Sequence, residues 1–201
     1  MNNVIMRRKI GEDYETYEDY INHQKEKTTD PLRRKLWLGK EWKMKIDIFK
    51  NVFNHYKNNN ILKENMKCLC FGARTGQEVV ALNEIGMDAL GIDIVPQEPY
   101  VIKGDIHDAP FEDNSFDFVF TNIIDHSIYP GKFMNEIERV LKSGGHALVQ
   151  LQLNCKSDEY AENDVHNSKS VINLFKESEL IINREIPFTL SMNWEFVMKK
   201  N

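Results

Sequence analysis

The stretch Lys67-Cys68-Leu69-Cys70-Phe71-Gly72-Ala73-Arg74-Thr75-Gly76-Gln77-Glu78-Val79-Val80 limits the fold more than any other part of the chain. It reads as a short apolar strand, a tight Gly-x-x-x-Gly turn and the first turn of a helix. Such a turn brings bare backbone and a helix N-terminus against a polar ligand, and so marks a nucleotide-type pocket. A dinucleotide-binding turn would need glycines at 72, 74 and 77, but Arg74 and Gln77 stand there. A phosphate-binding loop would end in Gly-Lys-Ser/Thr, whereas Gly76 is followed by Gln77 and Glu78, and an acid repels phosphate. The rest of the chain has to name the ligand.

From Lys67 onward, strand and helix patterns alternate. Strands are expected at 67–71, 89–94, 100–102, 116–121 and 146–151, with helices from about Gly76 to Ile85, over 133–141 and around 170–176. Alternation of this kind gives a doubly wound α/β fold with a mostly parallel sheet. The last two strands, 181–186 and 194–198, leave no room for a crossover helix and should form an antiparallel hairpin at one edge of seven strands. The first sixty residues read as helical. Tyr14, Tyr17, Tyr20 and Ile21 recur at helical spacing, Asp30-Pro31 is a good helix start, and Leu38, Trp42, Ile46, Phe49, Phe53 and Tyr56 form one apolar stripe. The division expected is a helical extension or lid over 1–64 and a core domain over 65–201.

Composition excludes several classes. At 201 residues, 41% hydrophobic and 28% charged, the chain fits one globular domain. No apolar run approaches the ~20 residues of a membrane span, and the start Met1 to Lys9 lacks the apolar stretch of a secretory signal, so a cytoplasmic location is expected. Cys68, Cys70 and Cys155 read as small buried hydrophobes, the first two on opposite faces of their strand, and no metal-ligand set accompanies them. The net charge of -5 is uneven: residues 1–67 carry 15 Lys+Arg against 10 Asp+Glu, and residues 68–201 carry 11 against 21. Arg33, Arg34, Lys35, Lys40, Lys43 and Lys45 read as a solvated basic layer, or as a face for an anionic partner.

In a sheet of this kind ligands bind beyond the carboxyl ends of the strands, where the strand order reverses. Asp93 stands at the end of the second strand, 17 residues after Gly76, and its two oxygens can accept both hydroxyls of a ribose. Gly104-Asp105-Ile106-His107 follows the third strand, where Asp105 can accept from an exocyclic amino group. Taken with Phe116–Asn122 and Arg139-Val140-Leu141-Lys142-Ser143-Gly144-Gly145, these residues resemble the class I S-adenosylmethionine-dependent methyltransferases over about Lys67 to Leu151. The family has glycines at 72, 74 and 76, so two of three are kept, and Ser143 replaces a usual Pro. The acid usual two residues before the first glycine is Cys70 here, with Glu78 as a possible substitute. Arg74 is expected either to pair with the cofactor carboxylate or to point away and pair with Glu78.

The resemblance implies S-adenosylmethionine as cofactor and S-adenosylhomocysteine as product. It implies cofactor contacts from Phe71, Gly72, Ala73, Arg74, Thr75, Gly76, Glu78, Asp93, Ile94, Gly104, Asp105, Ile106, His107, Asn122 and Ile123. It also places the loop Asn122-Ile123-Ile124-Asp125-His126 near the methyl group, with Asp125 or His126 as base for a hydroxyl acceptor; imidazole suits proton transfer near neutral pH. His107 reads as a pocket wall, and the polar segment 154–169, with His166, as a place for acceptor recognition. The expected reaction is methyl transfer to an oxygen of a small-molecule or saccharide acceptor. RNA or RNA-cap methylation through the basic helices, and a catalytically inactive cofactor-binding or partner-binding protein, are the alternatives.

Overall fold

The computed structural model describes residues 4–155 and 158–201. Residues 1–3 of the basic start and Lys156 and Ser157 of the polar segment lie outside the described residues. Along the chain run β1 (Val4–Met6), α1 (Tyr17–Thr29), α2 (Pro31–Leu38), α3 (Trp42–Asn58), β2 (Lys67–Phe71), α4 (Gln77–Glu84), β3 (Asp88–Asp93) and β4 (Val101–Lys103). Then come β5 (Phe116–Thr121), a 3-10 turn Ile124–His126, α5 (Pro130–Val140), β6 (Leu141–Leu151), β7 (Asn163–Val165), α6 (Ser168–Ile172), β8 (Ser178–Thr189) and β9 (Met192–Lys200).

The main sheet has seven strands in the order β4-β3-β2-β5-β6-β9-β8. Strands β2 to β6 pair in parallel, and β9 and β8 close one edge as an antiparallel hairpin. The chain winds outward from β2 through β3 to β4, then returns to place β5 on the other side of β2. The strand order therefore reverses between β2 and β5, and a crevice opens above their carboxyl ends. One face of the sheet packs Phe71, Val119, Phe133, Ile137 and Val149 beneath α5. The other packs Phe49, Phe53 and Tyr56 of α3 against Phe118 and Phe120, with α4 beside them. Two apolar faces covered by helices explain why the strands read as near-continuous hydrophobic runs.

Local signals set most helix starts. The Thr16 side chain accepts from the Asp19 amide while Asp19 accepts from Thr16, a reciprocal cap that begins α1. Asp30 accepts from the Arg33 amide at 2.7 Å with Pro31 in the first turn of α2. The apolar stripe expected from Leu38 onward is broken: the helix ends at Gly39, Leu38 is exposed, and the buried stripe starts in α3. Cys68 and Cys70 lie on one face, not two, because residues two apart on a strand point the same way. The chain passes from α5 directly into β6 at Leu141, so Lys142 to Gly145 belong to a strand, with an irregular step between Phe116 and Phe118 in the pairing to β5. The short pair β1–β7 was not legible in the sequence, and α6 is shorter than its pattern suggests.

Candidate functional site

The crevice is built on the glycine turn. Gly72 and Gly76 adopt φ of +68° and +85°, and the amides of Gly72 and Ala73 donate to the Ile92 carbonyl at 2.9 and 3.0 Å. A Cβ on Gly72 would come within 2.5 Å of the Ile123 side chain, and one on Gly76 within 2.9 Å of Tyr100, so both close approaches need glycine. Arg74, in the place of the middle glycine, also takes positive φ, at +49°. Its amide donates to Asp93 Oδ2 at 3.0 Å, and its guanidinium lies over the Trp37 ring at 4.6 Å. Among the described residues no Arg74–Glu78 ion pair lies within 4 Å, so Glu78 does not hold the guanidinium; an aromatic face does. Helix α2 is fastened over the turn by Gln77 Nε2 donating to the Trp37 carbonyl at 3.0 Å.

Three carboxylates surround this turn. Asp93 is buried; Oδ1 accepts from the Val95 amide at 2.9 Å and Oδ2 from Arg74, which leaves a lone pair on each oxygen. Burial raises its pKa. Glu78, in the first turn of α4, is buried with no cation within 4 Å among the described residues, and burial pushes its carboxyl up to about 7. Asp105 differs. Burial favours its neutral form, but His107 and the Tyr17 hydroxyl outweigh that and hold it down at about 2. Tyr17 donates to Asp105 Oδ2 at 2.7 Å, the His107 amide donates to Oδ1 at 2.8 Å, and the buried His107 ring also meets Ser127 Oγ at 2.7 Å.

Asp125 and His126 occupy the 3-10 turn after β5. His126 Nδ1 lies 2.9 Å from the Tyr160 carbonyl, an acceptor, so Nδ1 carries the proton and Nε2 keeps its lone pair. Lys27 of α1 donates to that Nε2 at 3.1 Å and to Asp158 at 2.5 Å. Burial, reinforced by the Arg74 charge, lowers the Lys27 pKa. Asp125 Oδ2 is 3.7 Å from the same ring nitrogen, and Tyr20 donates to the His126 carbonyl at 3.0 Å.

Two cavities share the wall formed by Gly72, Arg74, Ile123, His126 and Lys27. The smaller, about 60 Å³, runs between Asp93, Ile94, Asp105 and Ile106 and is capped by Tyr20, Ile21, Gln24 and Thr28 of α1. The larger, about 550 Å³, extends past Ala73, Thr75, Glu78, Asn122 and Asp125 to Leu190, Ser191 and Met192. Phe71 lies buried in the core beneath the turn, and Gly104 packs on Ile92 and Pro110. His166 meets Asn154 at 3.1 Å and lines neither cavity. Sequence reasoning missed Lys27, Trp37, Asp158 and Tyr160. It had a signal for α1 in the tyrosine spacing, but not for the direction in which that helix leans.

Residues 69–149 match the family described as methyltransferase domain. A sterol 4-C-methyltransferase of Caenorhabditis elegans is 26% identical over 146 residues, covering 64% of this chain and 43% of that protein. An uncharacterised methyltransferase of Synechocystis is 36% identical over 98 residues, covering 41% and 45%. The chain thus spans less than half the length of these curated relatives. Among solved structures, the Burkholderia thailandensis 1,6-didemethyltoxoflavin-N1-methyltransferase, crystallised with its acceptor and S-adenosylhomocysteine, superposes with a TM-score of 0.68 at 9% identity over 90% of this chain and 87% of that one. The PH0226 protein of Pyrococcus horikoshii gives 0.63 at 17% identity, over 80% and 92%. The sheet order and the crevice at its reversal point define a Rossmann-like methyltransferase fold. The match to the methyltransferase-domain family covers about two fifths of the chain.

Proposed function

We propose that this chain transfers a methyl group from S-adenosylmethionine to an oxygen of a small-molecule or saccharide acceptor. The observation that carries the reading is the shared wall. Asp93, the glycine turn, Glu78 and the Asp125–His126 turn face two cavities that meet at Ile123 and His126. The residues fit the cofactor. Asp93 has free lone pairs for the ribose hydroxyls, and Asp105 with Ile106 would hold the adenine edge. Glu78 is a buried carboxylate with no cation within 4 Å among the described residues, suited to the ammonium of the methionine part in the place Cys70 leaves unfilled. Arg74, already turned toward the cavity over Trp37, would take the carboxylate.

When bound, the cofactor supplies a methyl on a sulfonium and leaves as S-adenosylhomocysteine. The protein's share is alignment and proton removal. His126 Nε2, freed from Lys27 by the incoming hydroxyl, takes the acceptor proton as the oxygen–carbon bond forms, and Nδ1–H on the Tyr160 carbonyl holds the ring. Three residues of the basic layer are engaged, Arg33 with Glu159, Arg34 with Gln97 and Lys45 with Glu41, which favours a small acceptor over an RNA face. Calorimetric titration with S-adenosylmethionine and S-adenosylhomocysteine tests the cofactor site; binding of neither ends the reading. An acceptor screen with labelled methyl donor tests the oxygen assignment, which methylation confined to nitrogen or carbon would overturn.

A further inference from the structure

Helix α2 turns Trp37 into the protein and leaves the opposite side of the helix bare. Leu32, Lys35 and Leu36 stand at i, i+3 and i+4 and so share one face, where Leu32 is 79% and Leu36 44% exposed. Leu38, at the end of α2, and Met44, in the first turn of α3, are exposed as well. Four of the ten large apolar side chains exposed among the described residues thus fall within residues 32–44, a concentration rather than the usual scatter. Trp37, Glu41 and Met44 also line the larger cavity, so this α2–α3 corner forms part of its rim.

Cations are interleaved with these side chains. Residues 31–45 hold six Lys and Arg against one acid, Glu41, and Lys45 takes that acid at 2.6 Å. Asp30, just ahead, accepts from the Arg33 amide at the start of α2. The next acid along the chain, Asp47, interacts with Lys50. Lys35, Lys40 and Lys43 are exposed and make no ion pair within 4 Å among the described residues. The rest of the chain has the other sign, with 11 Lys+Arg against 21 Asp+Glu over residues 68–201. A negatively charged surface would therefore attract this corner and repel the bulk of the molecule, which sets an orientation.

We infer that the α2–α3 corner is a docking surface for an anionic lipid bilayer. Leu32 and Leu36 enter the boundary between headgroups and acyl chains, and Lys35, Lys40 and Lys43 meet the lipid phosphates. Lysines alone would suit any polyanion, so the aliphatic side chains decide. Single-stranded nucleic acid is held on aromatic faces where bases stack, but the aromatic rings of the corner turn inward, Trp37 onto Arg74 and Trp42 onto Tyr100. Leucine gains from acyl chains instead. Among the described residues no helix is long and apolar enough to cross a membrane, so the contact is peripheral. Docking in this way turns the α2 rim of the larger cavity toward the bilayer.

Sedimentation of the full chain with vesicles tests this, using phosphatidylcholine alone and phosphatidylcholine mixed with one-third phosphatidylglycerol. Binding to the mixed vesicles should be at least about 10-fold tighter and should weaken as salt is raised. Lys35→Gln, Lys40→Gln and Lys43→Gln together should cut it about 100-fold, at roughly fivefold per lysine. Leu32→Gln with Leu36→Gln should cut it about 10-fold while the melting temperature stays unchanged, because both side chains are exposed. Ile181→Gln with Phe188→Gln, exposed apolar residues of β8, should leave binding unmoved. Failure to bind the mixed vesicles, or binding that survives loss of both leucines, overturns the inference. A single-stranded RNA oligomer bound more tightly than the vesicles, and released by the lysine but not the leucine substitutions, would assign the corner to nucleic acid and overturn it too. None of these measurements involves methyl transfer, so their failure and that of the proposed activity are separate results.

Discussion

At the scale of single residues, burial sets the protonation of the site's carboxyls. Glu78 is the clearest case: its folded-state carboxyl sits near 7 against an ordinary value of 4.5. The folded protein therefore holds a proton that the unfolded chain releases between those values, and stability falls as pH rises from about 4.5 to 7. At 1.36 kcal/mol per unit the effect is about 3 kcal/mol at most. Glu78→Gln should flatten this part of the stability profile, seen as a smaller drop in melting temperature between pH 5 and pH 7.5. The same variant should weaken S-adenosylhomocysteine at pH 8 at least 10-fold; unchanged affinity would remove Glu78 from the ammonium role. Arg74→Gly relieves a left-handed backbone, worth about 1–2 kcal/mol, but loses the Trp37 contact. If the guanidinium holds the cofactor carboxylate, affinity falls about 10-fold despite that relief, and unchanged affinity would assign Arg74 to the α2 contact alone.

At the scale of elements, α1 is the candidate gate of the crevice. Its side chains reduce the space between Asp93 and Asp105 to about 60 Å³, well below the ~300 Å³ at which ligand pockets begin, so we propose that adenosine enters when α1 swings out. The latch is Tyr17 on Asp105 at 2.7 Å, a hydrogen bond to a charged group worth roughly 1.5–3 kcal/mol. Tyr17→Phe should therefore speed S-adenosylhomocysteine association about 10-fold in stopped-flow fluorescence. An unchanged rate would mean that α1 does not gate entry. The sheet itself was legible because its signals are local: Gly72 and Gly76 at positive φ, and apolar runs of strand length between turns. Asp93 and Asp105 were legible for the same reason, each following a strand end. Lys27, 99 residues from His126, was not. No local pattern sets the angle at which α1 crosses the crevice, and Tyr160 and Asp158 reach the site through a long connection. The break at Gly39 was missed because apolar spacing continues across it by coincidence of phase.

At the scale of the whole molecule, the helical half and the sheet are not equally separable. Helix α3 contributes Ile46, Phe49, Phe53 and Tyr56 to the core, all buried, and Phe53 and Phe120 meet edge to face at 5.2 Å. At about 1.5–3 kcal/mol per buried large side chain these four supply on the order of 10 kcal/mol, as much as the net stability of a typical domain. The described residues up to 41 bury only Tyr20 and Trp37 as large apolar groups, and residues of α1 and α2 line the two cavities instead. Two truncations separate these roles. A chain starting at residue 42 should melt cooperatively by circular dichroism but bind S-adenosylhomocysteine at least 10-fold more weakly, having lost the cap, the Trp37 face and Lys27. A chain starting at residue 65 should show no cooperative transition, because the sheet face carrying Phe118, Phe120, Cys68 and Cys70 would lie open to water. Cooperative melting of the shorter chain would make α3 a dispensable cover, and full cofactor affinity in the longer one would make α1 and α2 bystanders to the site.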